Sequence, residues 1–247
     1  AMKVIRGNQI DMVVGFGGYV TAPGGIAARM TGTPLIIHEQ NAIAGMSNRY
    51  LAKMANKVLQ AFEDTFAHSQ TSPKLETVGN PVRNTITGVA APTERYDIHD
   101  DSPLRLLVVG GSLGAQVLND NVPKALALID KPFAVRHQCG RNNESATQAA
   151  YDNEDLSRHS TQVQPFIDNM AAAYNWADVI VCRAGALTVT EIQNVGIPAI
   201  FVPLPHAVDD HQTANARTLT EHGAAILLPQ SELTPERLRA ELALLDR

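Results

Sequence analysis

Apolar residues in this chain fall into two alternating patterns. Short, nearly continuous runs occur at 11–14, 34–38, 57–61, 75–78, 104–109, 133–137, 178–182, 199–202 and 224–228. Such runs read as strands buried on both faces, as in a parallel sheet. Residues 160–165 add a more polar strand. Between the runs lie stretches that predict helices, from 43–48 to about 55, from about 116 to 129, and over 170–176 and 187–195. Residues 1–10 read as the end of a helix, and 233–247 as the start of one. Strands alternating with helices predict an α/β fold with parallel sheets.

Two stretches break the rhythm. Residues 63–74 form a polar insertion. Residues 84–103, rich in Thr, Pro and Asp, have the composition of a linker. A boundary there gives two domains, 1–95 and 96–247. The 247 residues suffice for a large core in one or two domains. No apolar run reaches the roughly 18 residues of a membrane-spanning helix, and no secretory signal is visible. Cys139 and Cys182 are far apart and lack metal-type spacing, so a reduced, cytoplasmic setting is the simplest expectation. The net charge of −5 divides unevenly, +3 over 1–83 and −8 over 84–247. The basic balance fits either an anionic surface or substrate, or plain surface decoration. The acidic remainder speaks against nucleic acid.

The candidate chemistry concentrates in 183–215. A strand ends in Arg183-Ala184-Gly185, a helix follows, and Gly196 and Pro198 end it before the next strand. Free N–H groups at such a strand-to-helix turn suit an anionic ligand. Glu191, six residues after Gly185, lies about one and a half turns into the helix. Its carboxylate suits the two hydroxyls of a sugar diol such as a ribose. Asp210, His211, Gln212 and Asn215 follow the next strand with side chains suited to sugar hydroxyls, whereas Asp209-Asp210 as a pair reads as solvated. The plain alternative is a βαβ unit with a polar loop.

Other turns have the same placement. Gly15-Phe16-Gly17-Gly18-Tyr19 and Pro23-Gly24-Gly25 read as a glycine-rich turn after a strand, suited to a phosphate or to tight packing. His38-Glu39-Gln40-Asn41 stands at the carboxyl end of a strand. His38 suits a general base, and both His38 and Glu39 equally suit holding the loop by hydrogen bonds. Gly79-Asn80-Pro81-Val82-Arg83 places an arginine where a phosphate or base can meet it. The turn at 110–115, G-G-S-L-G-A, is of the mononucleotide-binding type. The strand after it ends in His137-Gln138-Cys139-Gly140 without an acid, which argues against a nicotinamide dehydrogenase.

Taken together, A-L-T-V-T-E at 186–191, H-E-Q-N at 38–41, G-N-P-V-R at 79–83 and G-G-S-L-G-A at 110–115 resemble the GT-B glycosyltransferases. Within them the resemblance is to the MurG-like family, which adds N-acetylglucosamine to lipid I in peptidoglycan synthesis. It extends over essentially the whole chain, in the family's order. It implies an α/β GT-B fold of two Rossmann-like domains facing a cleft, the N-terminal one incomplete. It also implies an inverting transferase acting on UDP-N-acetylglucosamine and lipid I, peripheral on the cytoplasmic side of the bacterial inner membrane, with no metal, cofactor or nucleic acid.

The resemblance assigns donor binding to Asn41, Arg83, Ser112, Ile167, Ala186, Leu187, Thr188, Val189, Thr190, Glu191, Gln212 and Asn215. Gly17, Gly18 and Tyr19 would meet the acceptor diphosphate. Ile167 would act through its backbone, which no side-chain pattern reveals. Against the family's pattern the chain begins inside the first domain and ends before the last helices. A fragment inactive by itself is therefore expected. The family's first glycine loop and a histidine considered for catalysis fall outside it, which leaves the base unassigned, with His38 and Glu39 as candidates. His211 stands where the family tends to have glutamine, which bears on sugar selectivity, and Arg141 replaces a common lysine. Two rivals share the architecture, a UDP-N-acetylglucosamine epimerase and a donor-binding module that needs a partner segment.

Overall fold

The computed structural model describes residues 1–66, 74–96, 102–205 and 210–245. Most of the polar insertion, part of the predicted linker, and Asp209 of the acidic pair lie outside the described residues. The chain divides into two compact units. One comprises Ala1–Pro81, Gly185–Thr190 and His206–Thr218, the other Val82–Ala184, Glu191–Pro205 and Leu219–Arg247. The single boundary between 95 and 96 suggested by composition stands as a proposal about folding units.

The first unit contains α1 (Met2–Gly7), β1 (Val13–Gly15), α2 (Gly18–Thr31), β2 (Leu35–Glu39), α3 (Met46–Ala52), β3 (Lys57–Gln60) and β4 (Leu75–Thr77). Its strands form a parallel sheet in the order β1-β2-β3-β4. Leu35, Ile37, Leu51 and Val58 are buried together with Ala27 and Ala28 of α2. One expected turn is helix instead. Pro23, Gly24 and Gly25 lie inside α2, whose left-handed C-cap is Gly32. A Cβ on Gly25 would meet Leu51 Cδ2 at 2.6 Å, so this glycine lets α2 approach α3 rather than turn the chain.

The second unit opens with two short helices, α4 (Asn84–Thr87) and α5 (Pro92–Arg95), inside the stretch read as linker. Arg95 explains the order there. Its guanidinium donates to Ala90 O, Tyr174 O and Val195 O and so fastens this stretch to the body of the unit. Then come β5 (Leu104–Val109), α6 (Gln116–Ala127), β6 (Phe133–Gln138), α7 (Glu144–Asp152), β7 (Ser160–Gln164), α8 (Met170–Trp176), β8 (Val179–Cys182), α9 (Ala186–Val195), β9 (Ala199–Phe201), α10 (His211–Thr220), β10 (Ala225–Leu227) and α11 (Pro235–Ala243). The division between units runs through α9, between Thr190 and Glu191, and α10 falls mostly in the first unit.

The second sheet is parallel throughout, in the order β10-β9-β8-β5-β6-β7. That is the doubly wound order, with its switch point between β5 and β8. The central strand β8 is buried at all its residues, whereas the edge strand β7 is largely exposed, matching its polar sequence. Asp178, just ahead of β8, accepts from the Arg105 backbone N–H at 2.8 Å and from its Nη2 at 2.8 Å, which pins β8 to β5. Leu106, Val108, Leu118, Phe133, Val181 and Leu238 lie in the core.

Candidate functional site

In the first unit the loop at the carboxyl end of β2 is built around Glu39. This carboxylate is buried and accepts four hydrogen bonds. Oε1 takes the N–H and the Nδ2 of Asn41, both at 3.1 Å, and Oε2 takes Gly45 N–H at 3.0 Å and Asn48 Nδ2 at 2.8 Å. The 38–45 loop is therefore wound around one charge. His38 is buried beside it, and its Nε2 lies 2.9 Å from Gly79 O. A carbonyl only accepts, so Nε2 carries a proton. The His38 Nδ1 is buried and has no partner among the described residues. The Phe16 ring packs at 5.7 Å from the His38 ring.

Asn41 is held by a second asparagine. Asn215 is fully buried, its Nδ2 donates to Asn41 Oδ1 at 3.2 Å, and its Oδ1 accepts from Ala42 N–H at 2.8 Å. Sequence reasoning places Asn215 on a sugar; here its amide braces the Asn41 turn. Gln212 and His211 are half-buried on α10, a helix where the sequence suggests a loop. Asn80, which sequence reasoning did not single out, donates through Nδ2 to Gln40 O and Thr190 Oγ1, both at 3.0 Å. Thr190 in turn donates to Ala186 O. A cavity of about 530 Å³ in this unit is lined by Phe16, Gln40, Pro81, Gly185, Ala186, Leu187 and Thr188. Leu187 and Thr188 are accessible, and Val189 is buried. Gly17 and Gly18 adopt positive φ, and Tyr19 beside them is 88% exposed. Gly17 has φ of 82°, which favours glycine, and a Cβ there would come within 3.2 Å of Asn48 Nδ2, a further tight contact.

In the second unit, the turns after β5 and β8 stand side by side because Val109 pairs with Cys182. The 110–115 turn is braced by Gln138, which accepts from Gly111 N–H at 3.2 Å and donates to Gly111 O at 2.8 Å. Gly114 is packed so closely on Cys139 O that a Cβ would sit 2.0 Å away. Ser112 is exposed at the tip, and Ile167 is buried at the end of the segment leading into α8. Arg183 donates to Val202 O and Pro203 O at 3.0 Å and to Gln230 Oε1 at 2.7 Å, tying the ends of β8 and β9 together.

Glu191 is the focus of this unit. Arg83 Nη2 donates to its Oε1 at 3.1 Å, and the Tyr174 hydroxyl donates to its Oε2 at 2.9 Å. The Arg83 side chain is 60% exposed and that of Glu191 15%. Burial, reinforced by the Glu191 charge, holds the Tyr174 hydroxyl far above its ordinary range, so it stays a donor at any physiological pH. Tyr174 was missed by sequence reasoning. Its one signal was a lone tyrosine in an alanine-rich helix, which reads as core. Among the described residues no cluster of histidine, cysteine and acid side chains forms a metal site.

Residues 105–247 match the glycosyltransferase family 28 C-terminal domain, and residues 1–60 match the family 28 N-terminal domain. The chain belongs to glycosyltransferase family 28. A family member from Psychrobacter arcticus, named UDP-N-acetylglucosamine--N-acetylmuramyl-(pentapeptide) pyrophosphoryl-undecaprenol N-acetylglucosamine transferase, is 81% identical over 246 residues, covering 100% of this chain and 68% of the relative. The crystal structure of Acinetobacter baumannii MurG is 45% identical with a TM-score of 0.86, covering 100% of this chain and 68% of that one. A UDP-GlcNAc 2-epimerase from Neisseria meningitidis, 11% identical with a TM-score of 0.63 over 98% of this chain and 69% of that one, shares the fold alone. The GT-B class expected from the motifs is thus borne out for this family 28 chain.

Proposed function

We propose that this chain carries the machinery of an inverting transferase that moves N-acetylglucosamine from UDP-N-acetylglucosamine to lipid I, forming lipid II. The name of the Psychrobacter arcticus relative gives N-acetylglucosamine transfer between UDP-N-acetylglucosamine and an N-acetylmuramyl-(pentapeptide) pyrophosphoryl-undecaprenol. The observation in this chain that carries the reading is Glu191, a carboxylate on α9 with one donor on each oxygen and capacity left on both. Such a group suits the ribose of a nucleotide.

In the second unit, Ser112 at its turn and Arg83 meet the diphosphate, Ile167 meets the base through its backbone, and Glu191 takes the ribose. In the first unit, Asn41 and Gln212 address the sugar, Asn215 acts through Asn41, Ala186, Leu187 and Thr188 supply the helix start and its N–H groups, and Val189 and Thr190 form the turn that holds them, with Val189 N–H bonded to Gly185 O at 2.9 Å. Gly17, Gly18 and Tyr19 receive the acceptor diphosphate. In the reaction the acceptor hydroxyl oxygen bonds to the anomeric carbon from the face opposite UDP. The bond from that carbon to the phosphate oxygen breaks, UDP leaves with the electron pair, and the hydroxyl proton passes to a base. Donors fixed in advance lower the barrier by stabilising the charge growing on UDP. Of the two candidate bases, His38 leaves Nδ1 without a partner among the described residues and Glu39 spends its oxygens on the loop.

The acceptor's lipid chain supports a place at a membrane surface, and the proposed one is the cytoplasmic face of the bacterial inner membrane. Among the described residues no helix is long and apolar enough to cross a membrane. The first unit carries a cavity of about 830 Å³ where Ile43, Met46 and Tyr50 stand among Arg49, Lys53 and Lys74, a mixture suited to an anionic amphiphile.

The test is product analysis with labelled UDP-N-acetylglucosamine and a lipid I analogue, for this chain and for a chimera placing it within the longer Psychrobacter arcticus relative. A lipid-linked disaccharide with inverted anomeric configuration supports the reading. An epimerised sugar nucleotide formed without acceptor would replace it with the epimerase rival. Donor binding without turnover in either protein would leave only a donor-binding module.

A further inference from the structure

We infer that Tyr174 is a positioning residue for the donor nucleotide: its buried hydroxyl holds the Glu191 carboxylate in the orientation that receives a vicinal diol. The inference rests on the reading of Glu191 as the ribose acceptor.

Tyr174 is 1% exposed, so water cannot satisfy its hydroxyl, and a phenylalanine would fill the same space without that demand. The hydroxyl has a partner in Glu191 Oε2, at 2.9 Å. The ring cannot drift from that partner, because its helix is fastened at both ends. Asn169 caps α8 by accepting from Ala172 N–H at 3.0 Å. Arg95 bonds Tyr174 O at 3.2 Å through Nη1, and Val195 O at 2.8 Å through Nη2. Val195 ends α9, the helix that carries Glu191. One guanidinium therefore sets the spacing between the tyrosine and the glutamate.

Arg83 is the weaker partner. It is mostly exposed and touches Oε1 with one nitrogen at 3.1 Å. Exposed ion pairs of this kind impose little order. Tyr174 thus fixes one oxygen and Arg83 covers the other loosely. A carboxylate offers about four lone-pair positions, and these two donors occupy one on each oxygen. One acceptor position remains on each, the arrangement that two adjacent hydroxyls need. Without the Tyr174 hydroxyl, the planar guanidinium of Arg83 is free to take both oxygens in the two-pronged pairing it prefers, and the diol then loses its receptor.

The experiment compares UDP with 2′-deoxy-UDP by calorimetric titration of wild type, Tyr174→Phe, Glu191→Ala and the double variant. Wild type is expected to favour UDP by about tenfold or more. Tyr174→Phe is expected to lose about fivefold to tenfold on UDP and much less on the deoxy compound, so the preference collapses. The double variant should fall no further than Glu191→Ala. A purely structural tyrosine would weaken both nucleotides equally and keep the ratio, and that result overturns the inference. A wild type that does not distinguish the two nucleotides, or binds neither, removes the ribose reading itself. A measurement on wild type guards against a variant that fails to fold. With isotope-labelled tyrosine, the Tyr174 hydroxyl proton should stay protected and bonded to the carboxylate when UDP is added. Its release on binding would overturn the inference.

Discussion

Glu39 ends the strand β2 and Glu191 lies inside the helix α9, and the two carboxylates are used in opposite ways. Glu39 is 3% exposed and saturated, with two donors on each oxygen. Glu191 is partly open and has one protein donor on each oxygen. A saturated buried acid shapes a loop, and an acid with spare capacity can shape a ligand. The histidines repeat the lesson. His137 uses both nitrogens, with Nε2 at 3.0 Å from Asn119 Oδ1 and Nδ1 at 2.9 Å from the Tyr151 hydroxyl, whereas His38 leaves Nδ1 unused. Counting unused lone pairs separates scaffold from site better than residue type does.

The largest effect that sharpens this contrast belongs to Glu39. Glu39→Ala strips four donors, one of them fully buried, of their acceptor and should cost on the order of 3 kcal/mol in urea unfolding. Glu191→Ala should weaken UDP-N-acetylglucosamine by about 100-fold, near 2.7 kcal/mol, in metal-free calorimetry. Its cost in stability should be only about 1 kcal/mol, set by the Tyr174 hydroxyl left without an acceptor. Equal stability losses in the two variants would break the comparison.

The buried histidine gives a pH signature. Burial pulls His137 from 6.5 down to about 3. The unfolded chain binds that proton below pH 6.5 and the folded chain does not, so stability falls as pH drops through this range. The expected loss is about 2 kcal/mol by pH 5, read from urea midpoints across pH, and it should shrink in His137→Gln. The smallest effect is expected for Asn215→Ala. Loosening the Asn41 turn should cost about 1 kcal/mol of stability and weaken the sugar-nucleotide more than UDP alone, by titration of both ligands.

Much of the fold was legible because burial writes itself into sequence. β5 and α8 were expected over the residues they occupy, and every strand was placed within about two residues. The misses have physical causes. Pro23, Gly24 and Gly25 looked like a turn because sequence does not show the Leu51 side chain that α2 must approach. The helices at 84–95 looked like linker because their order comes from the distant Arg95 contacts. α7, which buries only Thr147 and Tyr151, left too weak an apolar stripe to notice.

The site divided in the same way. Glu191 and the glycine turns were visible because their chemistry depends on residue type and spacing. Tyr174, Asn80 and Gln138 were not, because each gains its meaning from a partner far along the chain. Asn215 was visible as polar, but only the fold shows that its amide is spent on Asn41 and Ala42.

The central claim is that Glu191, held by Tyr174, is the acceptor for the nucleotide's ribose. The most direct test is a crystal structure with UDP bound. Both ribose hydroxyl oxygens should lie about 2.5–3.0 Å from the Glu191 carboxylate, with the Tyr174 hydroxyl still bonded to Oε2. Ribose hydroxyls bonded elsewhere, with Glu191 still paired only to Arg83 and Tyr174, would contradict the claim.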